Sequence, residues 1–148
     1  MYRTIVLALD GSEGADRAVP VAADLARRDG ARVVIAHAQT RALETAIAAR
    51  LEAQVDDLRA SGVHADVVTA HATIEGREAD AIAQIADDHE ADLVVIAGRG
   101  RSPFAGAVLG SVTQRLLHVC DVPVLVIPPG GTALQARQKA ADTIAVDA

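Results

Sequence analysis

The residues of this chain best suited to chemistry lie in one stretch, Gly98-Arg99-Gly100-Arg101-Ser102, closed after a spacer by Gly110-Ser111-Val112. The apolar run Leu93-Val94-Val95-Ile96-Ala97 leads into it, and a helical pattern begins at Ser111. A strand, a glycine-rich loop and a helix in that order form a site for an anion. Glycines allow sharp turns and close approach to a ligand, while the new helix offers unpaired N–H groups and the positive end of its dipole. Arg101 adds charge-assisted donors suited to phosphate, whereas Arg99 reads equally well as a solvated side chain. The plainer alternative is a surface connection whose glycines only turn the chain.

Three further residue groups bear on what such a site can do. Asp10 follows the apolar run Ile5–Leu9 and reads either as a turn residue or as a ligand contact able to help place a magnesium ion. Ser111-Val112-Thr113-Gln114 has capping-box spacing, so the Ser111 hydroxyl can cap the helix as well as serve an anion. No carboxylate lies between Ala97 and Val112, and no group is marked out to position an attacking water. Efficient hydrolysis is therefore not expected, although slow turnover stays open. His37, His64, His71, His89 and His118 lack metal-ligand spacing; most read as surface or strand-end residues, and His37, near the end of the second strand, is placed to approach the crevice without reading as a ligand, while Cys120, the only cysteine, reads as an inert thiol.

Composition narrows the partners. The 148 residues suffice for one domain, with 51% hydrophobic and 1% aromatic residues, so the core must be aliphatic. Scarce aromatics and a net charge of −6 remove the stacking surfaces and basic face that nucleic-acid binding needs. Apolar runs are too short for a membrane span, and the N-terminus leads directly into a strand pattern, which reads as a soluble cytoplasmic protein.

The elements that must position these residues follow in alternation. Strands are expected at Ile5–Leu9, Val33–Ala38, Val63–Thr69, Asp92–Ala97 and Val122–Ile127. The third alternates apolar and polar residues and so belongs near a sheet edge. Helices are expected between them. The first is capped by Ser12, stopped by Gly30 and kinked, or regular only beyond, Pro20; the second is opened by Thr40, carries Leu43, Ile47, Leu51, Val55 and Leu58, and is closed by Gly62. Ala79, Ile82, Ala83 and Ala86 mark the third, and Val112, Leu116 and Val119 the fourth. This is an α/β fold with a parallel sheet, and ligands in such sheets bind beyond the strand C-termini where strand order reverses. Residues 130–148 read as a polar tail after a domain spanning 1–129.

With Gly100, nine intervening residues and Gly110-Ser111, the chain resembles the universal stress protein family, whose nucleotide motif has a further glycine three positions before the first of these. Ala97 stands there, with Gly98 beside it. The likeness extends from Tyr2 to Pro129, including the acidic strand end at Asp10 and the ending Val-Pro-Val-Leu-Val-Ile. It implies an open five-stranded parallel sheet in the order 3-2-1-4-5 with helices on both faces, Rossmann-like and of the adenine nucleotide alpha hydrolase-like kind. It also implies an ATP site in which Asp10 contacts the nucleoside, the Ala8-Leu9 backbone and Ala38 lie near the adenine, and Gly100, Arg101, Ser102, Gly110, Ser111 and Val112 hold the phosphates, with Ala97 and Gly98 alongside. The implied role is that of a stress-response regulator: a nucleotide-dependent homodimer joined through its last strand and acting on a protein partner that the sequence does not identify. The uncharged run Val124-Leu125-Val126-Ile127 independently suits edge pairing with a second copy; a tail folded over that edge is the alternative. A nucleotide-free interaction module and a weak ATPase are the competing functional readings.

Overall fold

The structure is a computed structural model that describes residues 1–41, 44–74, 76–98, 101–102, 106–107 and 109–128. Its elements are β1 (Thr4–Ala8), a 3-10 turn (Ala15–Arg17), α1 (Ala18–Asp29), β2 (Arg32–Gln39), α2 (Thr45–Ala60), β3 (Ala65–His71), α3 (Glu78–Asp88), β4 (Leu93–Ala97), the two-residue strands β5 (Arg101–Ser102) and β6 (Gly106–Ala107), α4 (Ser111–Val119) and β7 (Val124–Ile127). The main sheet runs β3-β2-β1-β4-β7, all neighbours parallel. Counting only its own strands, that is the expected 3-2-1-4-5. β5 and β6 form a separate antiparallel pair, which the sequence pattern did not suggest.

Burial of β1 on both faces explains its unbroken apolar run, since every residue from Thr4 to Ala8 is buried. Successive side chains point to opposite faces, and the core accordingly forms two layers. Ile5, Leu7, Val33, Ile35, Leu93 and Val95 pack under α1 and α2, whereas Val6, Ala8, Val34, Ala36, Val94 and Ile96 pack under α3 and α4. At the edge, β3 has mostly half-buried and exposed residues, in keeping with its alternating sequence.

Several element ends differ from the sequence expectation, each for a local reason. Ser12 does accept the Ala15 N–H at 3.2 Å, but what it opens is the 3-10 turn; the α-helix begins at Ala18. Pro20 lies inside α1, which is already helical from Ala18. It occupies the first turn of α1, where an N–H has no intrahelical acceptor to lose. Thr40 does not open α2, which starts at Thr45 after Glu44; Leu43 lies outside the described residues. β3 begins two residues later than expected because the Val63 N–H is taken by Leu58 O at the end of α2. Asp92 lies just before β4, and its carboxylate accepts the N–H groups of Arg3 at 2.9 Å and Thr4 at 3.2 Å. Asp29 likewise accepts the Tyr2 N–H at 2.7 Å.

Arg115 of α4 grips Asp80 of α3 with two hydrogen bonds, 3.2 and 3.0 Å long, and Arg77 adds a contact at 3.6 Å. Hydrogen bonding from Arg115 is the main reason that the Asp80 carboxyl lies below its ordinary value; desolvation opposes the shift, and the charges of Arg115 and Arg77 reinforce it. A carboxyl depressed in the folded state contributes stability above its unfolded value and loses it as pH falls through the folded one. Asp80→Asn should therefore lower the melting temperature at neutral pH, and the gap from wild type should narrow progressively as pH falls below about 4, closing below the depressed folded value. A gap that does not narrow over that fall would show that the tie acts through packing and not charge.

Candidate functional site

At the C-terminal ends of β1, β2 and β4 lies a cleft of about 630 Å³, a volume suited to a small-molecule ligand. β1 is hydrogen-bonded to β2 on one side and β4 on the other, so their following loops leave in opposite directions and open a gap at the switch point. Ala8, Leu9 and Asp10 line the cleft beside Ala38 of β2 and Ile96, Ala97 and Gly98 at the end of β4. Gly14, Ala15 and Arg17 come from the segment before α1; Ile82 and Glu78 come from α3, and Gly110, Val112 and Thr113 from the start of α4.

The β1 turn is held from two directions. The buried His37, 4% exposed, donates its Nδ1–H to the Leu9 carbonyl at 2.9 Å, and the Leu9 N–H donates to Ala36 O at 3.1 Å. His37 thus lies near the end of β2 as the sequence suggested, and it acts as a buried positioning residue. Asp10 accepts the Ser12 N–H at 2.9 Å, an Asx turn, while also lining the cleft. The structure shows the turn reading of Asp10 and puts the residue beside the cleft. Gly11, at φ +83°, adopts a conformation that favours glycine, and a Cβ there would lie 2.8 Å from Ile47 Cγ2.

On the opposite side, Gly98 donates its N–H to Ile127 O at 2.8 Å, and a Cβ at this position would meet Val126 Cγ1 at 3.3 Å. Its carbonyl accepts a 2.7 Å hydrogen bond from Arg17 Nη2. Ala97 is half-buried, borders the cleft and packs against the core layer under α1 and α2. Gly110 precedes α4 with φ 85° and ψ 153°, a region essentially restricted to glycine. The first helical hydrogen bond is Gln114 N–H to Gly110 O at 3.0 Å. The N–H groups of Ser111, Val112 and Thr113 therefore have no acceptor within the helix, and this is the end that borders the cleft.

Of the residues singled out from sequence, Ala8, Leu9, Asp10, Ala38, Ala97, Gly98, Gly110 and Val112 share the cleft. Ser111 is an exposed first-turn residue away from its lining. It does not cap α4: Gly110 holds the cap position, with no side-chain cap hydrogen bond. The backbone of Arg101 and Ser102 forms β5; Gly100 and Arg99 lie outside the described residues, as does the tail 130–148. Arg17 and Glu78 were missed. Arg17 falls within an apparent helical repeat, and an acid in a first turn reads as a dipole partner, so neither carries a separable signal. Among the described residues no group of three or more His, Cys, Asp or Glu could hold a metal, and no helix is long and apolar enough to cross a membrane.

This architecture is the adenine nucleotide alpha hydrolase-like class of open α/β sheet. The chain belongs to the universal stress protein family, whose model matches residues 1–128. It is 34% identical over 137 residues to a universal stress protein of Thermus aquaticus, an alignment covering 86% of this chain and 99% of the relative. Among solved structures, a universal stress protein from Archaeoglobus fulgidus superposes with a TM-score of 0.72 at 28% identity, covering 85% of this chain and 98% of the other. A universal stress protein in complex with cAMP superposes with a TM-score of 0.65 at 31% identity, over 85% and 96% of the two chains.

The backbone at Gly110 makes a direct prediction. Gly110→Ala should destabilise the fold by about 1–3 kcal/mol in urea unfolding, the cost of forcing a side chain into this region. Unchanged stability would mean that α4 can start without the positive φ.

Proposed function

We propose that the cleft binds an adenine nucleotide, ATP in the first instance, and that the chain is a nucleotide-dependent stress-response regulator acting as a homodimer in the cytoplasm. The observation that carries this reading is the junction of the switch-point cleft with the unpaired N-terminus of α4, which suits a phosphate chain. The base would lie against Ala8, Leu9 and Ala38, the ribose near Asp10, and the phosphates at Gly100, Arg101, Ser102, Gly110, Ser111 and Val112, flanked by Ala97 and Gly98. The cAMP complex of a relative supports an adenine nucleotide as the ligand class. Magnesium usually takes one or two carboxylates together with phosphate oxygens and water, and Asp10 supplies a carboxylate on the cleft wall.

Binding regulates output only if the nucleotide has different affinities for two conformations, a difference that a protein partner would read. The homodimer would form along β7, the last strand of the sheet, where Leu125 is 37% exposed. Pairing there would satisfy a strand edge that has no partner strand among the described residues. Ala97 favours a second reading, a nucleotide-free interaction module using the same edge, because it stands at a cleft-lining position where the family motif has glycine.

Two experiments test these statements. Mass spectrometry of nucleotide released from purified protein, with ATP calorimetry in the presence and absence of magnesium, should give stoichiometric binding. Asp10→Ala should weaken it at least about tenfold, the scale of one lost charge-assisted hydrogen bond, and Gly100→Val should abolish it; unchanged affinity in both would refute the site. For the edge, Val126→Glu should yield monomers in sedimentation, and an intact dimer would reject pairing through β7.

A further inference from the structure

We infer that Arg17 is a phosphate ligand of the cleft, an assignment that rests on the nucleotide reading above. Among the described residues lining the cleft, Arg17 is the one cation, beside the carboxylates of Asp10 and Glu78. Its guanidinium makes a single described hydrogen bond, from Nη2 to the Gly98 carbonyl at 2.7 Å. Nε is buried without a partner, the only such side-chain nitrogen or oxygen among the described residues. Nε–H and one Nη2–H lie along the same edge of the planar group, the edge that meets an anion with two parallel hydrogen bonds. Arg17 is therefore held in an underpaired resting position, and a rotamer change towards an anion in the cleft would use both donors.

Its location fits that exchange. Gly98, to which Arg17 is bonded, approaches the start of α4: a Cβ on Gly98 would lie 3.9 Å from Leu109 O, one residue before Gly110. Arg17 thus stands at the end of the cleft where the helix N-terminus opens, not at the β2 end where the base is placed. Gly14 leaves space for the movement. A Cβ at Gly14 would be 3.3 Å from Arg17 Nη1, yet Gly14 has an ordinary φ of −63°, so its backbone does not require glycine. The missing side chain keeps one flank of the guanidinium uncovered.

The test is calorimetry of full-length protein with ATP and with adenosine, on wild type, Arg17→Met, Arg17→Lys and Gly14→Val, each checked by thermal melting. A phosphate ligand predicts that Arg17→Met loses at least about tenfold in ATP affinity and keeps adenosine affinity within twofold of wild type, about the scatter of such titrations. Arg17→Lys should retain part of the ATP affinity through its charge, and Gly14→Val, which leaves the arginine in place, should weaken ATP in the same selective way. Equal losses for ATP and adenosine, or unchanged ATP affinity in Arg17→Met and Gly14→Val, would overturn the assignment while leaving the nucleotide site standing. Failure of wild type to bind ATP would instead overturn the nucleotide reading, and the Arg17 assignment with it.

Discussion

The structure depends on the placement of β1 between β2 and β4. A strand buried on both faces and paired along both edges has no freedom of register, because a shift by one residue would exchange every side chain between the two core layers. Ile5 and Leu7 are committed to one layer and Val6 and Ala8 to the other. That commitment determines where β1 ends, hence where Asp10 emerges, and it fixes the opposite departures of the loops after β1 and β4. The cleft is a geometric result of this pairing before any polar residue contributes to it.

Around that gap the polar residues do local work of a specific kind. His37 and the Asx turn at Asp10 hold the chain as it leaves β1, while Gly98 continues the ladder to β7. On the helix side, a glycine-only conformation at Gly110 aims the start of α4 at the same space. The Asp80–Arg115 tie joins α3 and α4, the two helices on that side. Each device fixes a backbone direction, so the walls of the cleft are made largely of main chain and small side chains. Such walls suit a ligand recognised by its shape and by its hydrogen-bonding edges.

The strands were legible in the sequence because burial on both faces leaves continuous aliphatic runs, and the strand order followed from the family resemblance carried by Gly100, Gly110 and Ser111. Half of the cleft lining was legible too: Asp10 and Gly98 terminate such runs, and the resemblance supplied Ala8, Leu9, Ala38, Gly110 and Val112. What escaped depended on contacts distant in sequence. Arg17 reaches Gly98, 81 residues away, and His37 reaches Leu9, 28 residues away; neither pairing has a local signature. Element starts escaped for a different reason. Ser12, Thr40 and Ser111 are all good capping residue types, yet the backbone used Ser12 for a 3-10 turn, started α2 at Thr45 and put Gly110 at the cap of α4. Residue type offers a cap, and the approach angle of the chain decides whether it is taken.

The two-layered core has a mechanical consequence. Proteins open locally, in contiguous cooperative units that often coincide with supersecondary motifs. Here the sheet separates α1 and α2 from α3 and α4, and the cleft takes Gly14, Ala15 and Arg17 from one side and Glu78, Ile82 and the start of α4 from the other. The two walls therefore belong to different packing layers. A molecule seated between them acts as a staple across the sheet, making the opening of either layer cost the contacts of both. Occupancy would then be felt as slower breathing of helices on opposite faces, even if no atom of the scaffold moved to a new mean position.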